Sequence, residues 1–366
     1  MLAKVDPRTT VAPEGAAEAA GLVYVSTDEP GIGRRRAGKG FVYNSPSRER
    51  IADAETVRRI RALAIPPAWK TVWICVKPKG HIQAIGYDDN GRKQYLYHHR
   101  FREVREGVKF DHILIFAQAL PALRRRIAAD MRVSGLGRDK VLATVVQLLE
   151  ATMIRVGNRA YAKENRSYGL TTLRSRHVQI EGGDLKFHFK GKSGKVWRLG
   201  LYDRRVAKIL KACQDLPGQD LFQYLDGDGE RRAVTSTDIN AYLKRVSGRD
   251  ITAKDFRTWA GTVLAAIALV DGEPPGSPTQ AKKRLGMAMG LVAARLGNTP
   301  AICRKCYVHP EILNAYLEGS LRLGAAAAID LAAEEAAVLH FLRRRLKAPG
   351  SVIPGPWPPR KRRSHE

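Results

Sequence analysis

An α+β fold in two parts is predicted by three features of this 366-residue sequence: a small β-rich N-terminal domain, then a larger, mainly α domain. The chain is longer than one domain of ordinary size. Over residues 21–105 the apolar residues alternate in short runs between turn signals, the period of strands. Over residues 110–346 they recur mostly at three- and four-residue spacing, the period of helices with one buried face.

Residues 1–20 are small and polar with no period, and are expected to be disordered. A strand is expected over residues 21–27 (GLVYVST), then a turn at DEPGIG. Gly33 to Lys39 has the GxxxxGK spacing of a phosphate loop, but Gly40 stands where Ser or Thr would hold magnesium, and no helix follows. The stretch reads instead as a basic β-turn suited to phosphates. Asp53 caps a short helix with Val57, Ile60 and Leu63 on one face, stopped at Pro66-Pro67. Three strands follow, TVWICVKP, HIQAIGYD and KQYLYH, the last two joined by the hairpin signal Asp89-Asn90-Gly91. Tyr95 and Tyr97 share a face near Arg92 and Lys93. Aromatic and basic residues interleaved on a sheet suit a nucleic-acid surface; two tyrosines packed on a sheet face fit equally well.

The second region opens with an apolar helix over residues 111–119, which Pro121 bends or breaks. A stronger helix runs from 139 to about 154, with Val141, Leu142, Val145, Leu148, Leu149 and Thr152 as its buried stripe; Arg155 follows, and Gly157 is the expected C-terminal stop. The next stretch, NRAYAKENRSYGLTTL, is polar, basic and aromatic and carries Tyr161 and Lys163. Three short strands, HVQIEG, LKFHFKGK and KVWRLG, put Lys192 at the turn between the last two. Helices are expected over 203–216 and 236–246. Thr252-Ala253-Lys254-Asp255 is a capping box opening a helix with Phe256, Trp259, Ala260, Val263, Leu264 and Ile267 at core spacing, and Arg257 off that stripe. A helix over 279–296 leads to Asn298. Thr299-Pro300 then opens a short helix carrying Tyr307, with Arg304 and Lys305 just before it. Pro310 starts the next helix, an Ala-rich helix covers 325–346, and the Pro-rich, basic tail 347–366 is expected to be disordered.

Lys and Arg number 63 against 36 Asp and Glu, a net charge of +27 that points to a polyanionic partner, most commonly nucleic acid. The 4 cysteines, Cys75, Cys213, Cys303 and Cys306, are too few for a disulfide framework, which suggests reduced thiols and a cytosolic setting. There is no signal-peptide pattern and no run long enough to span a bilayer, so the charge is expected to meet nucleic acid rather than membrane. Cys303-Arg304-Lys305-Cys306 has zinc-ligand spacing but no second pair follows it; His98, His99 and His188 read as surface or DNA-facing residues. No metal or cofactor is expected.

Taken in order, Arg155 after a buried helix, Lys192 on a hairpin, Arg257 in a capped helix start, and Asn298 ahead of Tyr307 resemble the catalytic set of the type IB DNA topoisomerases. More specifically, they resemble the small poxvirus-like bacterial branch. The matching words are IRVGNRAYAKENRSYGLTTL, FKGKSGKV, KDFRTWAGT and LGNTPAICRKCYVHPEIL, and the resemblance runs from about residue 21 to 319, including GRRRAGKGFVY and HIQAIGYDDNGRKQYLYHHRF. It implies a catalytic domain of the tyrosine recombinase/type IB topoisomerase kind, in a two-domain clamp around duplex DNA. Tyr307 matches the nucleophile, Arg155 and Arg257 the phosphate-clamping arginines, and Lys192 the hairpin general acid. Asn298 stands where many members have His, so hydrogen bonding without proton transfer is implied there, with a lower rate than in His-bearing relatives. Tyr161 matches a residue near the scissile phosphate, and Tyr95 and Tyr97 match aromatic DNA contacts. Arg92, Lys93, Lys163 and Lys254 are further candidate DNA-binding positions.

The chemistry suits these residue types. A phenol that attacks phosphorus stays attached, so the strand is cut without hydrolysis. The departing 5′-oxygen needs a proton, which Lys can give and Arg cannot. Guanidinium forks can bind the non-bridging oxygens where negative charge builds up. Neither ATP nor metal is expected to be needed, and the protein is expected to act on DNA in the cytoplasm as a nucleoid-associated monomer. Two rivals remain at this level. A tyrosine recombinase shares the catalytic set, but usually has His where Lys254 stands and lacks the N-terminal sheet domain. A non-enzymatic DNA-packaging protein would explain the charge but not the order of Arg155, Lys192, Arg257 and Tyr307.

Overall fold

The structure, a computed structural model, describes residues 13–38, 40–89, 91–271, 276–324 and 331–347. The chain divides into two compact units between His112 and Ile113.

The first unit is built on an antiparallel five-stranded sheet in the order β2-β1-β3-β4-β5. Its strands are β1 (Ile32–Ala37), β2 (Gly40–Asn44), β3 (Lys70–Ile74), β4 (Ile82–Tyr87) and β5 (Lys93–Tyr97). Two helices accompany them, α1 (Pro13–Ala19) and α2 (Ala54–Ala62). The Asp53 carboxylate accepts the Thr56 N–H at 2.7 Å and caps α2, whose Ile60 packs with Ile32, Val72, Ile74 and Ala84. The β4–β5 turn forms as expected, with Asp88 accepting the Arg92 N–H at 2.9 Å.

Three N-terminal expectations are corrected. Residues 13–19 are helical, because Ala16 and Ala17 are buried with Ala20, Leu22 and Phe101; residues 1–12 lie outside the described residues. Residues 21–27 form no strand beyond one bridge, Val23 to Gly80. Gly33 to Ala37 is strand rather than turn, and Arg34 donates to the carbonyls of Ile65, Pro66 and Trp69 instead of reaching outward for phosphate.

Helix α3 (His99–Asp130) continues through Pro121, because Ile113, Phe116, Leu120, Leu123 and Ile127 are all buried and packing outweighs the lost backbone donor. In the second unit, α4 (Arg138–Thr152) is the central element: Val141 through Val146 are all buried, and it packs against the helices that follow. It stops earlier than expected. Met153, in the left-handed conformation (φ 58), caps it by donating its N–H to Leu149, so Gly157 belongs to the following loop.

After α5 (Arg159–Asn165), strands β6 (Val178–Glu181), β7 (Asp184–Lys190) and β8 (Val196–Tyr202) form an antiparallel sheet in sequence order. Next come α6 (Arg204–Gln214) and a small hairpin of β9 (Gln223–Leu225) and β10 (Arg231–Ala233), which the sequence reading did not anticipate. The remaining helices are α7 (Ser236–Ser247), α8 (Ala253–Val270), α9 (Pro278–Leu296), α10 (Pro300–Cys306), α11 (Pro310–Leu317) and α12 (Ala333–Lys347). The last starts later than expected: residues 331 and 332 are not helical, and residues 325–330, like the tail from 348, lie outside the described residues. Glu335 ties α12 down by accepting from Arg124 at 2.8 and 3.1 Å and from the Trp259 indole at 3.0 Å.

Candidate active site

Helix α8 begins at the Thr252 box: Asp255 accepts the Thr252 N–H at 2.8 Å, and Asn240 accepts the Ala253 N–H at 3.1 Å. This start aims Arg257 inward. Local periodicity puts Arg257 off the apolar stripe, yet it is only 3% exposed. Its fork donates to the carbonyl of Met153, beyond α4, and to that of Leu296, at the end of α9, at 2.6 Å for the latter. The correction has a physical reason: two helix ends present orphan carbonyls there, and a buried guanidinium satisfies both. Burial is the main cause lowering its pKa below the usual arginine value; the nearby Arg155 charge adds to the fall while Tyr307 opposes it. It remains a cation, since no ordinary shift brings arginine near neutral pH.

Arg155 leaves the Met153 turn half-buried and reaches the loop after α9. It donates to the Asn298 side-chain oxygen and lies 3.4 Å from the Gly297 carbonyl. A guanidinium only donates, so this contact sets the Asn298 amide with its oxygen toward Arg155 and its Nδ2 the other way. Among the described residues, Asn298 Nδ2 and Arg257 Nε are buried without a hydrogen-bond partner. A buried donor left unpaired costs about 1–3 kcal/mol, so two in one site point to an acceptor that arrives with a ligand.

Tyr307 sits half-buried at the C-terminal cap of α10, one position past the helix expected to carry it, its N–H bonded to Cys303 at 2.9 Å. The Arg257 guanidinium lies 5.3 Å from the Tyr307 ring centroid. The backbone here is held closely. A Cβ at Gly261 would stand 2.7 Å from the Tyr307 carbonyl, the Thr262 hydroxyl lies 3.4 Å from that oxygen, and the same hydroxyl accepts the His309 N–H at 3.1 Å. His309 then caps α11, and Arg345 of α12 holds the buried Glu311 at 3.0 Å.

Four of the five expected catalytic residues, Arg155, Arg257, Asn298 and Tyr307, are thus linked through adjoining contacts. Lys192 stands apart. It is exposed at the start of a 3-10 turn (Lys192–Gly194) between β7 and β8, followed by Ser193 in the left-handed region (φ 60). No hydrogen bond joins it to the other four among the described residues. Tyr161 and Lys163 lie on α5, the first half-buried and the second exposed, and Lys254 is exposed on the first turn of α8.

In the first unit, Tyr95 is 45% exposed and stacks on Tyr97 with centroids 6.0 Å apart; Lys93 Nζ lies 5.6 Å from the Tyr95 ring. Tyr97 is half-buried against Phe101, and Arg92 is engaged with the Asp88 carboxylate at 3.0 Å. Cys303 is fully buried, which raises its thiol pKa, and Cys306 is half-buried beside Tyr307.

The sequence reading missed Met153, Gly261 and Gly297 as shaping residues. Only Gly261 carried a signal, a glycine inside a strong helical pattern, which suggests close backbone approach.

The family model described as eukaryotic DNA topoisomerase I, catalytic core, matches residues 98–325, and that described as bacterial DNA topoisomerase IB, N-terminal domain, matches residues 40–88. DNA topoisomerase 1B of Acanthamoeba polyphaga mimivirus is 32% identical over 293 residues, covering 78% of this chain and 87% of that protein. DNA topoisomerase 1B of Vaccinia virus (strain Copenhagen) is 25% identical over 234 residues, covering 63% and 70%. DNA topoisomerase 1 of Mycosarcoma maydis is 23% identical over 282 residues, covering 69% of this chain and 28% of that protein.

Proposed function

The chain belongs to the type IB DNA topoisomerases, and we propose that it relaxes supercoiled duplex DNA through a single-strand break held as a 3′-phosphotyrosine on Tyr307. The observation that carries this is the pair of unpaired buried donors, Arg257 Nε and Asn298 Nδ2, in one cluster with Arg155 and the Tyr307 ring. A phosphodiester brings the acceptors these donors lack.

In the cleavage step the Tyr307 oxygen bonds to phosphorus as the bond to the 5′-oxygen breaks; the phenol proton leaves to solvent, and Lys192 protonates the departing 5′-oxygen. Arg155, Arg257 and Asn298 donate to the non-bridging oxygens as their charge grows. Religation reverses the step, with the 5′-hydroxyl displacing the phenol. The phosphotyrosine keeps the energy of the phosphodiester, so no ATP is consumed, and the site's own cations supply the charge. Tyr95, Tyr97, Lys93, Tyr161, Lys163 and Lys254 serve as DNA contacts, Arg92 through the turn it braces, and the protein works as a monomer. The paired matches to an N-terminal type IB domain and to a topoisomerase core favour this reading over a recombinase.

The test is plasmid relaxation in EDTA without ATP. The wild type is expected to relax supercoils of both signs, while Tyr307→Phe binds the plasmid with unchanged affinity and leaves it supercoiled. Relaxation by the Phe variant, or none by the wild type, overturns the proposal.

A further inference from the structure

Among the described residues no hydrogen bond joins Lys192 to the other four, so its place is set by packing of the hairpin that carries it. Trp197 is the group on hand. On β8 it pairs across the strand with Phe189 of β7, ring on ring, with centroids 6.2 Å apart and planes 2° apart. Tilted ring contacts continue the row, Phe189 to His177 at 6.3 Å and His177 to Tyr168 at 4.5 Å, and the Tyr168 N–H is bonded to the Lys190 carbonyl at 2.8 Å.

The other edges of the indole meet two glycines. A Cβ at Gly191, the residue before Lys192, would stand 2.7 Å from Trp197 Nε1. A Cβ at Gly297, the residue before Asn298, would stand 2.5 Å from Trp197 Cζ2. Neither position leaves room for a side chain, and Gly297 also has φ +60, which disfavours one. One ring therefore touches the backbone beside the candidate acid and the backbone that carries Asn298 and accepts from Arg155.

We propose that Trp197 is a positioning residue: wedged between Gly191 and Gly297, it docks the Lys192 hairpin against the Asn298 loop and so places the acid at the leaving oxygen. It touches no reacting atom. The inference rests on the acid role proposed for Lys192. A displacement on the order of 1 Å at a reacting group can cost about 10²-fold in rate, so the loss of this wedge is expected to show in the chemical step.

The test compares single-turnover cleavage of two duplexes, one with the ordinary 5′-oxygen at the scissile bond and one with sulfur in that position. A thiolate leaves without protonation, so the second substrate does not need an acid. Wild type, Lys192→Ala, Trp197→Ala and Trp197→Phe are measured on both. Trp197→Ala is expected to lose about 10²-fold on the oxygen substrate and to recover most of that on the sulfur one, as Lys192→Ala does; Trp197→Phe, which keeps a ring in the wedge, stays within about tenfold of wild type on both. If Lys192→Ala is rescued by sulfur and Trp197→Ala is equally slow on both substrates, Trp197 is merely structural and the inference fails. If Lys192→Ala is itself not rescued, it is the acid assignment that fails, and the inference with it. Gly191→Ala, which crowds the wedge from the hairpin side and contacts neither Arg155 nor Asn298, is expected to follow Trp197→Ala if the variant at 197 proves too unstable to assay; equal slowness on both substrates there also overturns the inference.

Discussion

Asn298 shows how much one residue can set. Its oxygen is committed to Arg155 and its Nδ2 is the free half, so a single amide both orients a cation and offers a donor. Asn298→Ala removes the donor and releases Arg155 at once, and cleavage is expected to slow about 10²- to 10³-fold with DNA affinity little changed, as measured by single-turnover kinetics beside a binding titration. Loss of affinity in proportion to rate would mean that Asn298 binds ground and reacting states alike. Arg257 answers to a different constraint. Lysine keeps its charge but cannot hold the Met153 and Leu296 carbonyls in one planar fork, so Arg257→Lys is expected to lower the melting temperature as well as the cleavage rate. A variant with full stability and reduced rate would show that the two carbonyl bonds contribute little to folding.

At the scale of elements, the turn ahead of β6 carries a pH dependence. His177 is buried, and its Nδ1 accepts the Arg174 N–H at 3.1 Å, which requires that nitrogen to be unprotonated. Burial above all, with Arg176, Arg174 and His188 adding repulsion, lowers its pKa to about 4 from 6.5. The fold therefore favours neutral His177, whereas the unfolded chain takes up a proton near pH 6.5. The contribution is fully present above that value and is lost as pH falls towards 4. At about 1.4 kcal/mol for each tenfold change in proton affinity, the gap amounts to about 3 kcal/mol at most. Urea midpoints between pH 7 and 4 are expected to fall more steeply in the wild type than in His177→Gln; parallel profiles would remove His177 as the cause. The same ring contacts Phe189, which stacks on Trp197, so the acid limb is also expected to disturb the hairpin.

For the whole molecule, the dominant quantity is charge. A chain of net charge +27 acting on duplex DNA must displace counterions. If it meets about 6–10 phosphates, affinity is expected to fall about 10³- to 10⁵-fold between 50 and 200 mM salt. Fluorescence anisotropy of a labelled duplex across that range measures the slope directly. A flat response would mean that apolar contact dominates binding and that the excess cations face elsewhere. No described helix is long and apolar enough to cross a membrane.

What the sequence by itself determined is what nearest-neighbour chemistry controls. Periodicity marked three strands of the five-stranded sheet, β3, β4 and β5, and most helices, caps at Asp53, Thr252 and Thr299 marked starts to within a residue, and the order of Arg155, Lys192, Arg257, Asn298 and Tyr307 named the family. It failed where distant chain outweighs local preference. Pro121 stays inside a helix because its neighbours are buried, Ala16, Ala17 and Ala20 pack with Phe101, and Met153 rather than Gly157 ends α4. Tertiary structure alone decided that Arg257, polar and off the stripe, lies inside. Helix α9 and the exit of α4 converge on it, and the carbonyls they leave unpaired can be satisfied only by a donor from elsewhere in the chain. The wedge of Trp197 between Gly191 and Gly297 was hidden for the same reason: contact between residues 100 positions apart (297 − 197) leaves no period to read, and burial across such a gap is a property of the folded surface rather than of the strand that carries the ring.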